Sequence, residues 1–289
     1  MTAYTVSQTT LGPIAGIHQG TGTQSLNDWI LDPTSVVGSG PLAFVQSGMQ
    51  TTTMLFQIDA PVVPNWFGVA VPSGITSFTD PVLFFHPTPS QAGYVDADYA
   101  AKSGKWPELF YYMDKLGWQV DPAHKDRVVI MPFLTEAAAA DTGILPGAWQ
   151  SILTQILTGV RAALNADDGT PLSMTSVAVA SYSAGIVYSD TFRRKAAGLS
   201  PLLREIWDLD GSFSTYASLS AKLQTTPTTR VIKYDQVSGA EGASFHVPVP
   251  RWSAFPASVT TGEEVHWMVI SYLVTHACWL STLGARSVA

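Results

Sequence analysis

The chain has 289 residues, a formal net charge of −7, 46% hydrophobic and 13% charged residues, six histidines and one cysteine. That balance indicates a folded globular protein with a substantial core. It argues against nucleic acid or an anionic membrane surface as main partner, since both demand clustered Lys and Arg, and a single cysteine, Cys278, rules out an intrachain disulfide and any cysteine-based metal cluster.

In chain order, Met1 to Ser7 lacks a basic segment followed by an apolar run, so no secretory leader is read there. The expectation is a cytoplasmic protein, with export left open should a leader have been removed. Residues 1–50 are rich in Thr, Ser and Gly and read as an extension packed on the remainder, with Asn27 to Pro33 as a short turn of helix. Residues 51–289 read as one α/β domain. Thr53–Ile58 and Trp66–Pro72 have strand character, and Pro81–Phe85 is a near-continuous apolar run, the mark of a strand buried on both faces. Leu109, Tyr112, Met113 and Leu116 share one helical stripe, with Gly117 suited to end it. Arg127–Met131 is a further buried strand. Trp149, Ile152, Leu153, Ile156, Val160 and Leu164 recur at helical spacing and make the clearest amphipathic helix, with Pro146 and Gly147 just before it.

Strands at Glu205–Asp210, Arg230–Tyr234 and Phe245–Val249 follow, with a short helix at Tyr216–Leu223 between the first two. Val265–Leu283 is the last helix. His266, Ser271, Thr275 and His276 interrupt it, so it reads as a core helix and not a membrane span. Strands alternating with helices predict a mostly parallel central sheet with helices on both faces. The pieces between strands are too short for a large lid domain.

Between the amphipathic helix and Glu205 lies the stretch Ser176-Val177-Ala178-Val179-Ala180-Ser181-Tyr182-Ser183-Ala184-Gly185-Ile186-Val187. It starts as a β-branched strand, tightens into Ser-x-Ser-x-Gly and enters a segment of helical character that ends in Arg193, Arg194 and Lys195. Strand, tight turn around a serine, helix is the context that gives G-x-S-x-G its catalytic meaning, with the central serine on a strained elbow. Ser183 is the central residue. Ser181 stands where the first glycine of that pattern would be.

The order Val71-Pro72-Ser73-Gly74, strand, His86-Pro87, Ser-x-Ser-x-Gly, acid and late histidine resembles the α/β-hydrolase superfamily. Within it the likeness is to esterases of the feruloyl-esterase and polyester-depolymerase kind, over about residues 54–283. The resemblance implies a serine hydrolase acting on a small-molecule or polymeric carboxylic ester through an acyl-enzyme, without a cofactor or metal. It implies Ser183 as nucleophile, His266 as general base and Asp235 as the acid that orients it, in the order Ser, Asp, His.

Alternatives remain open at this level. His246 competes with His266, and Asp210, then Asp208, compete with Asp235. The oxyanion donors implied are the N–H of Ala184 and, because Pro87 has none to give, that of Thr88. His86 and Tyr182 are candidate substrate neighbours. Asp96 and Asp98 are weak evidence for a metal. The same residues would also serve an acyltransferase, a thioesterase or a peptidase, and Ser181 and Pro87 keep a non-catalytic binding protein among the readings.

Overall fold

A computed structural model of the chain describes residues 5–9, 29–31, 44–46, 52–87, 125–134, 141–234, 245–247 and 274–284. Nine strands form one sheet: β1 (Val6–Thr9), β4 (Thr52–Ile58), β5 (Trp66–Val71), β6 (Val82–Phe85), β7 (Val129–Pro132), β8 (Val177–Tyr182), β9 (Leu203–Leu209), β10 (Arg230–Tyr234) and β11 (Phe245–Val247). Their spatial order is β1-β4-β5-β7-β6-β8-β9-β10-β11. The first three pairings are antiparallel; from β7 to β11 every pairing is parallel.

Every residue of β5, β6, β7 and β8 is buried. This is why those segments are predominantly apolar: a central strand covered on both faces has no solvent side. Two further strands, β2 (Trp29–Leu31) and β3 (Phe44–Gln46), pair antiparallel in a separate small sheet. The helical turn expected at Asn27–Pro33 is therefore a strand at its centre. Its apolar Trp29-Ile30-Leu31 is completed by a partner fifteen residues downstream, which local pattern does not announce. Part of the N-terminal extension also joins the main sheet as β1, and the Val6 N–H donates to Gln155 Oε1 at 3.0 Å.

Among the described residues the helices are α1 (Leu145–Ala163), α2 (Ile186–Lys195), α3 (Ala217–Ser220) and α4 (Val274–Leu280). α1 starts at Leu145, so Pro146 lies in its first turn, where a missing N–H costs nothing. It buries Trp149, Ile152, Leu153, Ile156 and Val160 against Phe56, Val69, Leu83 and Val179 of the sheet. α2 packs beside it on the same face. Trp149 meets Phe192 edge-on with ring centroids 6.1 Å apart, and Phe85 lies 5.5 Å from Phe192. Ile186, Ile206, Val231 and Leu223 continue this layer under α2 and α3.

The other face is served by α4. Glu205 accepts from the Ser281 hydroxyl at 2.7 Å and the Thr282 N–H at 2.9 Å, which fixes the end of α4 to β9. Beside it the buried Arg127 guanidinium stands 5.4 Å over the Trp207 ring. The described part of the expected last helix is Val274–Leu280; the helix expected around Leu109–Leu116 lies outside the described residues. No helix among the described residues is long and apolar enough to cross a membrane.

Candidate active site

β6 connects to β7 on one side, and the chain then returns to place β8 on the other side of β6. In an open α/β sheet, ligands bind beyond the carboxyl ends of the strands at such a reversal. The residues found there are Phe85-His86-Pro87 after β6 and Ser183-Ala184-Gly185 after β8.

Ser183 has φ +52°, in the left-handed region that non-glycine residues rarely occupy. Tyr182 before it is extended, and residues 183–185 form a 3-10 turn that runs directly into α2. The chain thus passes from strand to helix within one residue, and Ser183 sits at the bend, half-buried. A Cβ added to Gly185 would stand well inside van der Waals contact distance of the Phe85 carbonyl oxygen and 2.7 Å from that of His86. Glycine is required here because the turn is pressed against the end of β6. Ala184 lies in the first turn of the helical segment, where backbone N–H groups lack intrahelical acceptors and the helix dipole favours negative charge.

Ser181, in the position of the missing glycine, is a fully buried residue of β8 in register with Phe85 and Asp208. Among the described residues its Oγ has no hydrogen-bond partner. The elbow forms with serine at this position, since the side chain is small enough for the interior of the sheet.

His86 is completely buried. Its Nδ1 lies 2.7 Å from the Pro87 carbonyl and its Nε2 accepts the Leu134 N–H at 3.0 Å. A carbonyl only accepts, so the proton is on Nδ1 and the ring is neutral. Burial pulls its pKa down to about 4. The expectation of a substrate contact at His86 gives way to a structural role: both nitrogens are used to tie the loop after β6 to the loop after β7. Tyr182 is likewise buried, at 1% exposure, in register with Leu209 of β9. It packs inside the sheet layer and does not form the site's rim.

Asp208 and Asp210 are both fully buried but differ in their surroundings. Asp208 is buried within β9, and its two oxygens accept the Gly211 N–H at 2.8 Å and the Ser220 hydroxyl. Burial raises its pKa to about 6. Both oxygens are engaged under α2 and α3. Asp210 follows the end of β9 in a left-handed conformation, φ +60°. Its N–H donates to the Tyr234 carbonyl at 3.0 Å, so the end of β9 is joined to the end of β10 one residue before Asp235.

Asp210 therefore leaves from a strand end on the same edge as Ser183, joined there to the end of β10 at Tyr234. Asp235, Thr88 and His266 lie outside the described residues, as do Asp96 and Asp98. His246 is the central residue of β11 and the register partner of Lys233, which pairs with Asp208. That row is Ser181's row, two residues short of the elbow, so the backbone places His246 within the sheet and not beyond its end. Among the described residues, no three His, Cys, Asp or Glu side chains converge as a metal site would require. A cavity of about 240 Å³ lined by Arg193, Leu199, Leu203 and Thr229 opens at the opposite, amino end of β9, away from Ser183.

Strand order, strand direction and the strained serine between β8 and α2 now stand together. The fold is that of the α/β-hydrolases. No family profile and no curated protein matches the sequence. Among solved structures, the chain is similar to a thermostable esterase from Pseudomonas putida (12% identity, 93% of this chain and 100% of that one, TM-score 0.41). It is also similar to a poly(3-hydroxybutyrate) depolymerase from Bordetella parapertussis (14%, 71% and 68%, TM-score 0.34). A third likeness is to a rice cell wall degrading esterase from Xanthomonas oryzae, at 18% identity and TM-score 0.33. There the match covers 56% of this chain and 43% of that one.

Proposed function

We propose that the protein is a serine hydrolase that cleaves carboxylic esters through an acyl-enzyme on Ser183. The observation that carries this reading is the backbone of Ser183 itself. A non-glycine residue held at φ +52° costs on the order of 1–3 kcal/mol and persists only where the surroundings enforce it. Here the enforcement comes from Gly185 pressed on the end of β6. The bend lifts a hydroxyl out of a fully buried strand toward the face where α/β sheets bind ligands.

In the proposed cycle His266 takes the Ser183 Oγ proton as the oxygen attacks the ester carbonyl. Asp235 holds the imidazole in the required tautomer, with Asp210 as the alternative acid. The N–H groups of Ala184 and Thr88 receive the oxyanion. Collapse of the tetrahedral intermediate breaks the ester C–O bond, and His266 returns the proton to the leaving alcohol. Water, deprotonated by His266, then releases the acid and restores Ser183. The substrate is a small-molecule or polymeric carboxylic ester.

A fluorophosphonate probe and a chromogenic short-chain ester test this directly. The wild-type protein is expected to be labelled at Ser183, and Ser183→Ala to lose labelling and on the order of 10⁶-fold in kcat. Hydrolysis by Ser183→Ala at the wild-type rate would overturn the proposal. Comparing Asp235→Asn with Asp210→Asn assigns the acid: the correct one loses on the order of 10⁴-fold in kcat.

A further inference from the structure

Asp208 is a fully buried carboxylate near the elbow, and the proposed chemistry makes no use of it. It has 0% exposure. One oxygen accepts the Gly211 N–H at 2.8 Å; the other accepts the Ser220 hydroxyl. A Cβ on Gly211 would stand 2.5 Å from Asp208 Oδ1, so only glycine lets the backbone come this close. Across the sheet Asp208 is in register with Lys233 of β10, itself 1% exposed. The Lys233 ammonium donates to the Ser220 carbonyl at 3.3 Å. Arg193 of α2 is also within electrostatic reach of the same carboxylate.

A buried charge is costly, and simple packing would be served as well by an apolar side chain. What the charge does here is hold three separate elements: the turn after β9, the end of α3 and, through Lys233, β10. The held turn contains Asp210, whose N–H closes onto the Tyr234 carbonyl immediately before Asp235. The same turn, residues 211–213, packs against the 183–185 elbow.

We infer that Asp208 is a positioning residue: its carboxylate, bonded to Gly211 and Ser220, sets the ends of β9 and β10, which Asp210 and Asp235 follow in the sequence, relative to Ser183. This rests on the serine-hydrolase reading. Asp208 touches no substrate; it acts through whichever of the two acids orients the histidine, and it serves both because their strand ends are joined. Misplacing a triad member lowers the rate of the chemical step while leaving substrate binding in place.

The test uses two variants. Asp208→Asn keeps an oxygen for the Gly211 N–H and removes the charge opposite Lys233; Ser220→Ala removes only the hydroxyl donor. For Asp208→Asn, kcat and the rate of fluorophosphonate labelling at Ser183 are expected to fall on the order of 10²-fold, with KM unchanged. Ser220→Ala is expected to show a smaller loss with the same split between kcat and KM. Near-ultraviolet circular dichroism and a thermal melt establish that each variant is folded.

If both variants fold and keep the wild-type kcat, or if the loss falls on KM instead, the inference is overturned. Should Asp208→Asn not fold, Ser220→Ala decides alone by the same criterion. Wild-type protein that is not labelled at Ser183 overturns the serine-hydrolase reading, and the positioning role with it. Labelling in the wild type at a rate that neither variant changes overturns the positioning role only.

Discussion

Ser181 and Ser183 are two residues apart and have opposite fates. Ser183 stands at the bend with positive φ, while Ser181 is locked inside β8, its hydroxyl without a partner among the described residues. A buried hydroxyl without a partner carries a desolvation cost that nothing returns. Ser181→Ala removes the hydroxyl and keeps the Cβ that the strand already accommodates. It is expected to raise the free energy of unfolding by about 1 kcal/mol, at the low end of that penalty, in a urea titration, and to leave labelling of Ser183 intact. A loss of labelling would show that the Ser181 hydroxyl has a partner in the working site.

At the scale of elements, the elbow is a contact between two strand ends rather than a property of one segment. The 183–185 turn lies on the carbonyls of Phe85 and His86, and His86 in turn bonds the loop after β7 through Leu134. The ends of β6, β7 and β8 are thereby fixed together where the proposed oxyanion loop begins. Gly185→Ala would drive a methyl group into this backbone, which neither carbonyl can avoid without moving its strand. The expected outcome is a stability loss of about 1–3 kcal/mol, together with a fall in kcat/KM larger than that loss of fold accounts for. Chemical denaturation and ester kinetics on the same preparation check it.

At the scale of the whole molecule, two buried groups make opposite contributions to stability as pH changes. His86 stays neutral down to about pH 4, because protonation would charge a fully buried ring; it would also remove the lone pair that accepts the Leu134 N–H. Its folded pKa lies below the ordinary 6.5, so its contribution is complete above pH 6.5 and is lost as pH falls to about 4, by about 3 kcal/mol. Asp208 behaves in the opposite sense. Its pKa is raised from 3.8 to about 6, chiefly by burial, so the folded state gains about 3 kcal/mol as pH falls through that window.

The two nearly cancel in the wild type and separate in variants. Unfolding free energies of wild type and His86→Gln are expected to converge by about 3 kcal/mol between pH 6.5 and 4. The wild type should gain a similar amount over Asp208→Asn in the same range. Parallel pH curves for wild type and His86→Gln would show that His86 titrates normally in the folded protein.

The sequence by itself determined the buried strands, the amphipathic stripe of α1 and the strand–serine–helix order around Ser183. These depend on interactions short in sequence or on burial from both faces, and both leave periodic or unbroken apolar patterns. It also ordered the candidate acids after β9 and β10. What it left open required distant partners. Trp29–Leu31 became a strand only because Phe44–Gln46 lies beside it. His86 turned from a substrate neighbour into a backbone clamp because Leu134, 48 residues away, donates to it. Asp208 became a buried anchor because Ser220 and Lys233 meet it from α3 and β10. Whether a polar residue faces substrate, solvent or the core depends on which other segments arrive at the same place, and only the tertiary structure brings them there.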